Sequence, residues 1–350
     1  MSKYLMTLTP QEPYFFGNEK TFRYPGAKGS GRGNRYYIKS EQTPAQTTWI
    51  GALRYLLLPI KKQFGQYSAD DIEVNAKAVG PKSFEYGGEN EFGAIRSISP
   101  MFLLRNDQEP LVVTPFDHVN GKEFYTAFAD YVEISEGARC YPVQYNAKDG
   151  VSHSYMSLDS GKIYSASELF TVETRIGINR SAKEEGFFKK DYVNLAKGYS
   201  FASYVTLEDG VTPQDSLIYL GQGKSLFMAR FVSVEGDPYG DMIAKLAALL
   251  YTDVIYCMSD AFLPNPTDAK QSDDGIYAGT KFAVTDLREY RAYTTNEGKI
   301  RKASILYHLI RAGSIFVPKS EDFVDAFQDR NVQIIGYNEI IQGIKEREKK

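Results

Sequence analysis

The stretch from Phe22 to Lys39 sets Arg23, Lys28, Arg32, Arg35 and Lys39 among Gly26, Gly29, Gly31 and Gly33, with Tyr24, Tyr36 and Tyr37 beside them and no acidic residue. Guanidinium groups offer forked donors to phosphate, glycines let a backbone approach a ligand closely, and tyrosine rings stack on bases. The combination points to an extended nucleic acid, against the plainer reading of a solvated basic loop. A second basic run, Arg175, Arg180, Lys183, Lys189 and Lys190, lies within ETRIGINRSAKEEGFFKKDYV, where Phe187 and Phe188 either wedge between bases or pack underneath. A third candidate is the start of a helix after the glycine-rich stretch. Its free amides and positive dipole end, with the neutral donors Gln46, Thr47 and Thr48, suit a phosphate, and ordinary capping accounts for the same residues equally well. If the basic stretch folds over that helix end, the two form one site.

Other chemistries find little support. Only three histidines exist, His118, His153 and His308. His308 sits in the apolar alternation of ILYHLIRAG, and Asp117–His118 reads as a turn or cap rather than an acid/base pair. His153 is the one residue to test for metal-independent RNA cleavage. GQGKS at Gly221–Ser225 fails as a phosphate loop, because the motif needs a glycine five residues before Gly223 and Ile218 stands there. It joins two strand-like runs, so a hairpin turn is expected, with Lys224 still able to touch a phosphate. Cys140 and Cys257 lie far apart without CxxC or Cys/His spacing, which argues against zinc and against a disulfide scaffold. No cofactor and no enzymatic role are expected.

The elements that must position these groups follow from pattern. At 350 residues and 43% hydrophobic the chain buries a substantial core, and its length favours two domains. With 41 basic against 44 acidic residues it is no bulk polyanion binder, so nucleic acid must be held by local patches. The most apolar stretch, Met242 to Met258, is broken by Lys245 and Asp253, and MSKYLMTLTP has no apolar signal core; a soluble cytoplasmic protein without membrane contact is expected. Tyr4–Leu8 reads as a strand, and Thr47 or Thr48 caps a helix through Trp49, Ile50, Leu53, Leu56 and Leu57 that Pro59 ends. Short apolar runs from Val79 to Thr114 suggest strands, Glu173 to Leu207 a long hairpin with a basic arm, and Ser216 to Val234 a second hairpin. Asp241 caps a helix through Ile243, Leu246, Leu249 and Leu250, followed by a strand at Asp253–Met258, a helix at Glu321–Gln328 and a last strand in VQIIGYNEI. The repeated order of elements predicts an α+β fold of two ferredoxin-like units, 1–210 and 211–350, with hairpin and loop insertions.

Five segments in order, PYFFGNEKTF (Pro13–Phe22), PAQTTWIGALRYLL (Pro44–Leu57), ETRIGINRSAKEEGFF (Glu173–Phe188), RAGSIFVP (Arg311–Pro318) and IIGYNEIIQG (Ile334–Gly343), resemble the repeat-associated (RAMP) proteins of CRISPR systems. Within them the chain is most similar to the Cas five-like third subunits of type III-B Cmr effector complexes. The resemblance implies tandem ferredoxin-like (RRM-like) domains, binding of the repeat-derived 5′ handle of the CRISPR RNA, and docking against the large polymerase-like subunit and the backbone subunits. It puts Ile178, Asn179, Arg180 and Lys183 at a thumb-like hairpin next to RNA, and Gln46, Thr47, Thr48 and Arg54 on a helix facing the handle. It implies a non-catalytic member. A guide-processing endoribonuclease of the same superfamily and the fourth subunit of a Csm complex stand as alternatives. The segments 85–161 and 267–275 depart from the pattern and receive no role.

Overall fold

β1 (Ser2–Pro10) is buried at its centre, where Met6, Thr7 and Leu8 are all inside, Met6 and Leu8 fully. The computed structural model of the protein describes residues 1–23, 36–62, 66–115, 118–120, 123–125, 141–142, 153–179, 186–221, 223–263, 280–283, 287–291, 293–296, 299–302 and 305–346. It is a mixed α+β fold made mostly of sheet. β1 lies inside a nine-stranded sheet, antiparallel to Tyr199–Leu207 on one side and Ser225–Ser233 on the other. Beyond Tyr199–Leu207 come Phe102–Arg105, Glu109–Val113, Tyr155–Ser157 and Ile163–Tyr164; beyond Ser225–Ser233 the sheet ends at Ser216–Leu220. The hairpin Ser216–Ser233 thus extends the sheet that holds β1, so residues on both sides of position 210 share it.

One face of this sheet buries Met6, Leu8, Phe201, Val205 and Phe227 against α1 (Gln46–Leu57), which contributes Trp49, Ile50, Leu53 and Leu56. Four such side chains supply a gross ~6–12 kcal/mol of transfer free energy before ordering costs. The helix stops where the sequence requires: the residue before a proline is pushed out of the helical region, and Leu58, ahead of Pro59, has φ −58° and ψ 122°. Its start differs from expectation. Ala45 is the N-cap, without a side-chain cap, and Thr47 and Thr48 lie inside the first turn, where the Thr48 amide donates to the Ala45 carbonyl at 2.8 Å. The opposite sheet face packs Phe102, Leu104 and Ala202 against Met242 and Leu246 of the helix Pro238–Leu249.

Three further expectations are corrected. Asp237, not Asp241, occupies the N-cap of Pro238–Leu249, because Pro238 suits the first helical position, with its fixed φ and missing N–H. Glu321–Phe327 is a 3-10 helix, entered through Ser320, whose side chain accepts from the Asp322 amide. VQIIGYNEI is not a strand: Arg330–Gln333 forms a helical turn capped by Asp329, Gly336 and Asn338 take positive φ, and pairing resumes only at Ile340–Gln342. A helix not anticipated, α2 (Ala69–Val79), begins with a capping box between Ser68 and Asp71. Among the described residues no helix is long and apolar enough to cross a membrane.

Candidate nucleic-acid interface

The two basic segments are rooted in one small sheet. Its order is Phe170–Asn179, Gly186–Leu195, β3 (Tyr36–Glu41) and β2 (Phe16–Arg23). The first two strands form a long antiparallel arm, paired without a break from Phe170–Leu195 to Asn179–Gly186. β3 runs parallel to the arm's inner strand, with Tyr36, Tyr37 and Ile38 opposite Phe188, Lys189 and Lys190, and β2 pairs antiparallel to β3 so that Arg23 meets Tyr36. The parallel pairing has a direct consequence. β2 ends and β3 begins at the row Arg23, Tyr36, Phe188, Gly177, and the arm's last described pair, Asn179–Gly186, lies two residues past that row. The segment 24–35, with three cations and no carboxylate, and the segment 180–185, where Arg180 and Lys183 are matched by Glu184 and Glu185, therefore leave the same end of the same sheet.

Asp191 holds this register. Its carboxylate is buried and accepts from Thr174 Oγ1 at 2.7 Å on the arm's outer strand and from the Tyr37 hydroxyl on β3, so one side chain ties three strands. At the base of the arm Tyr14 and Val193 exchange two backbone hydrogen bonds of 2.9 Å, and both are buried in the main core. The outer strand, by contrast, is an edge whose Val172 and Ile176 are 58% and 60% exposed.

The site residues expected from sequence distribute unevenly. Arg23 closes β2 and Ile178 and Asn179 close the arm's outer strand, all at the shared end. Lys28, Arg32, Arg35, Arg180 and Lys183 lie outside the described residues, as do the segments 24–35 and 267–275. The α1 group follows the other end of β3: Glu41, five residues before Gln46, is about 17 Å from Tyr36 along the strand, at ~3.3 Å per residue. Gln46 is 5% exposed and spends its amide on Ser99 O (3.0 Å), Ile335 O (2.8 Å) and the Met101 amide (3.2 Å). The Thr47 amide donates to the Tyr337 hydroxyl, which burial pushes up to about 12 against the opposing pull of Arg288. Arg54 donates to the carbonyls of Val79 and Gly80, both at 2.8 Å, and so caps the end of α2; burial lowers its pKa. These groups brace the fold.

Beside the start of α1 lies a buried ionic joint. Arg288 pairs with Asp260 at 3.0 Å and donates to Thr43 O at 2.8 Å, Asp260 also accepts from the Ala312 amide, and Arg311 Nη2 donates to both Glu41 carboxylate oxygens, at 2.8 and 2.9 Å. It fastens the C-terminal segments to the end of β3. The GQGKS turn joins two strands as expected, with Lys224 at φ +52°. His308 is exposed in a two-stranded ribbon opposite Glu289, His153 precedes the strand Tyr155–Ser157, and His118 opens a separate short strand. Asp191 was missed by sequence reasoning, and Tyr37, read there as a ring for base stacking, instead gives its hydroxyl to Asp191.

No family model and no curated protein matches the sequence. Among solved structures, the chain is similar to a chain of a type III-B Cmr-beta complex bound to cognate target RNA and AMPPnP, determined by cryo-EM, at 13% identity over 97% of this chain and 95% of that one, with a TM-score of 0.49. A chain from the same kind of complex bound to cognate target RNA is similar at 10% identity over 66% of this chain and 97% of that one, with a TM-score of 0.26.

Proposed function

We propose that the protein is a non-catalytic RNA-binding subunit of a CRISPR RNA-guided effector complex of the Cmr type, built on two ferredoxin-like units. In this reading it grips the repeat-derived 5′ handle of the CRISPR RNA and docks the large polymerase-like subunit and the backbone subunits. The supporting observation is the pairing of Tyr36–Ile38 with Phe188–Lys190, which roots both basic segments at one sheet end. Cations drawn from two distant parts of a chain with net charge −3 then act on one stretch of phosphates. Gln46 and Arg54 serve as bracing, and the contacts fall to Arg23, Lys28, Arg32, Arg35, Arg180 and Lys183.

The test is co-expression with the products of neighbouring genes, followed by purification and sequencing of the retained RNA. Handle-containing RNA is expected in the wild-type assembly, and charge reversal at Arg23, Arg32, Arg35 and Arg180 should remove it. Undiminished retention by that variant would overturn the reading. Incubation of the purified chain with repeat RNA should give no cleavage; metal-independent cleavage lost with His153→Ala or His118→Ala would establish the endoribonuclease instead.

A further inference from the structure

One face of the arm carries cations laid over rings. The Arg175 guanidinium carbon sits 4.4 Å from the centre of the Tyr192 ring, and Lys190 Nζ lies 5.0 Å from that of Phe15 and 5.5 Å from that of Phe188. The Phe15 and Tyr192 rings are 5.7 Å apart. Strand alternation explains the alignment: Phe188, Lys190 and Tyr192 share one side of their strand, and Arg175 is the cross-strand partner of Lys190. Phe188 faces Gly177, where any Cβ would collide with its ring. The strip from Phe188 to Tyr192 spans about 13 Å at ~3.3 Å per residue.

The turn Gly221–Ser225 closes the lower end of this strip. The Phe15 amide donates to Ser225 Oγ at 3.3 Å, and a Cβ on Gly223 would stand 3.3 Å from Phe15 Cβ and 3.8 Å from the Tyr192 ring. Exposed Lys224 is thus the residue next to the Gly223 backbone that packs beside Phe15 and Tyr192. Two carboxylates oppose the three cations: Glu173 pairs with Arg175 at 2.9 Å, and Glu12 accepts from the Leu226 amide at 2.8 Å. A guanidinium held on a ring keeps its outer plane free for a base, and a pre-positioned cation loses less freedom on meeting phosphate.

We infer that this strip continues the RNA path: a single strand leaving the basic end of the arm runs down the Phe188–Tyr192 face, with phosphates on Lys190 and Lys224 and a base stacked on Arg175. This rests on the RNA-binding reading above and adds to it a direction, a face and the GQGKS turn. An acidic protein partner is the competing occupant, and exposed Arg175 and Lys224 with half-buried Lys190 present the face to either.

The test is fluorescence anisotropy of a fluorescein-labelled 16-nucleotide oligouridine on the full chain, between 50 and 300 mM salt. The variants are Arg175→Gln and Lys224→Asn, since asparagine tolerates the left-handed backbone, with Arg180→Ala reporting on the arm's end and Lys245→Gln, on the far helix, as control. Both strip variants are expected to weaken binding about threefold to tenfold; Lys224→Asn should also reduce the salt slope by about 0.7, the share of one single-strand phosphate contact, whereas Arg175→Gln, which removes a stacking plane, should leave the slope nearly unchanged. The control should match wild type. If Arg180→Ala weakens binding and both strip variants leave affinity and slope unchanged, the strip is off the path and the inference alone falls. If wild type shows no salt-dependent binding, the RNA reading falls and takes the strip with it. If the strip variants release oligoglutamate and retain RNA, the face belongs to an acidic protein and the inference is overturned.

Discussion

Asp191→Ala tests the register on which the interface depends. The carboxylate is 7% exposed and accepts two hydroxyl hydrogen bonds, from Thr174 at 2.7 Å and from Tyr37. A hydrogen bond to a charged acceptor contributes about 1.5–3 kcal/mol, and Thr174 is exposed, so water recovers most of its share; a loss of about 2–4 kcal/mol follows. Because β3 meets the arm over only the rows Phe188 to Lys190, that loss opens the joint locally before it unfolds the chain. The joint's open population should then rise about thirty- to several-hundredfold, read as faster amide hydrogen exchange in peptides covering 36–41 and 186–195. Asp191→Asn, which keeps one acceptor, should fall between. RNA affinity supplies a test of sign. A carboxylate about 10 Å from a phosphate repels it by about 0.4 kcal/mol in water, so charge alone predicts tighter binding by the alanine variant. Loss of register predicts weaker binding, since the two basic segments no longer share one root. Unchanged exchange together with tighter RNA binding would refute the account.

Arg288→Ala strands Asp260 and the Thr43 carbonyl in the interior and should cost about 3–5 kcal/mol in urea unfolding, whereas Arg288→Met with Asp260→Asn should cost less than the single change; equal costs would argue against a buried pair. Glu339 has its carboxyl held above the ordinary value by burial, with the nearby Tyr239 hydroxyl offsetting part of the shift. The folded chain keeps that proton to higher pH than the unfolded one, so stability falls as pH rises from about 4.3 through the raised value. Glu339→Gln should therefore match wild type below that range and exceed it at neutral pH in thermal melts; parallel curves would exclude the effect. Gly336→Ala places a Cβ at φ +81°, 2.8 Å from the Pro100 nitrogen and against the Gln46 amide, and should destabilise by about 3 kcal/mol or more in urea; a shift under about 1 kcal/mol would mean that the segment yields.

The parts of the fold that were legible are those set by local pattern. Met6 and Leu8 alternate, Trp49 to Leu56 keep one helical stripe, and the hairpins around 180 and 222 have strand-like flanks and turn residues. The Ser68–Asp71 box was equally local and went unread, although S-x-x-D ahead of a helix is a start signal. Other errors came from tertiary demand. Ile334 to Glu339 looks like a strand, but Asn338 turns inward to accept from the Phe262 amide at 2.7 Å, and Gly336 passes close to Pro100, so the backbone there serves contacts made far away in sequence. Gln46 looked like a ligand donor for the same reason that it is a good internal staple: an amide both donates and accepts, and here its three partners are backbone groups at 99, 101 and 335. Nothing local separates those two uses. The joining of the two basic segments was likewise out of reach of the sequence, because the parallel pairing between residues 36–38 and 188–190 depends on contacts between distant segments, such as the Tyr37 hydroxyl on Asp191.

That geometry also resolves how a chain with 44 acidic and 41 basic residues presents itself to a polyanion. Charges in solution act over a Debye length of ~8 Å at physiological salt. The last core residue of the inner strand is Val193, and β2, β3 and the arm converge at the row of Phe188, so about 17 Å of strand, at ~3.3 Å per residue, separates the two. The packed core is thus about two screening lengths from the row where β2, β3 and the arm converge. A phosphate arriving there responds to the local cations and not to the molecular total. Lowering the salt lengthens the screening distance to ~30 Å at 10 mM, which brings the body's net charge back into range. The salt dependence of RNA binding should accordingly be steep near physiological ionic strength and flatten at the dilute end, a curvature that a uniformly basic binder does not share and that an arm of this length requires.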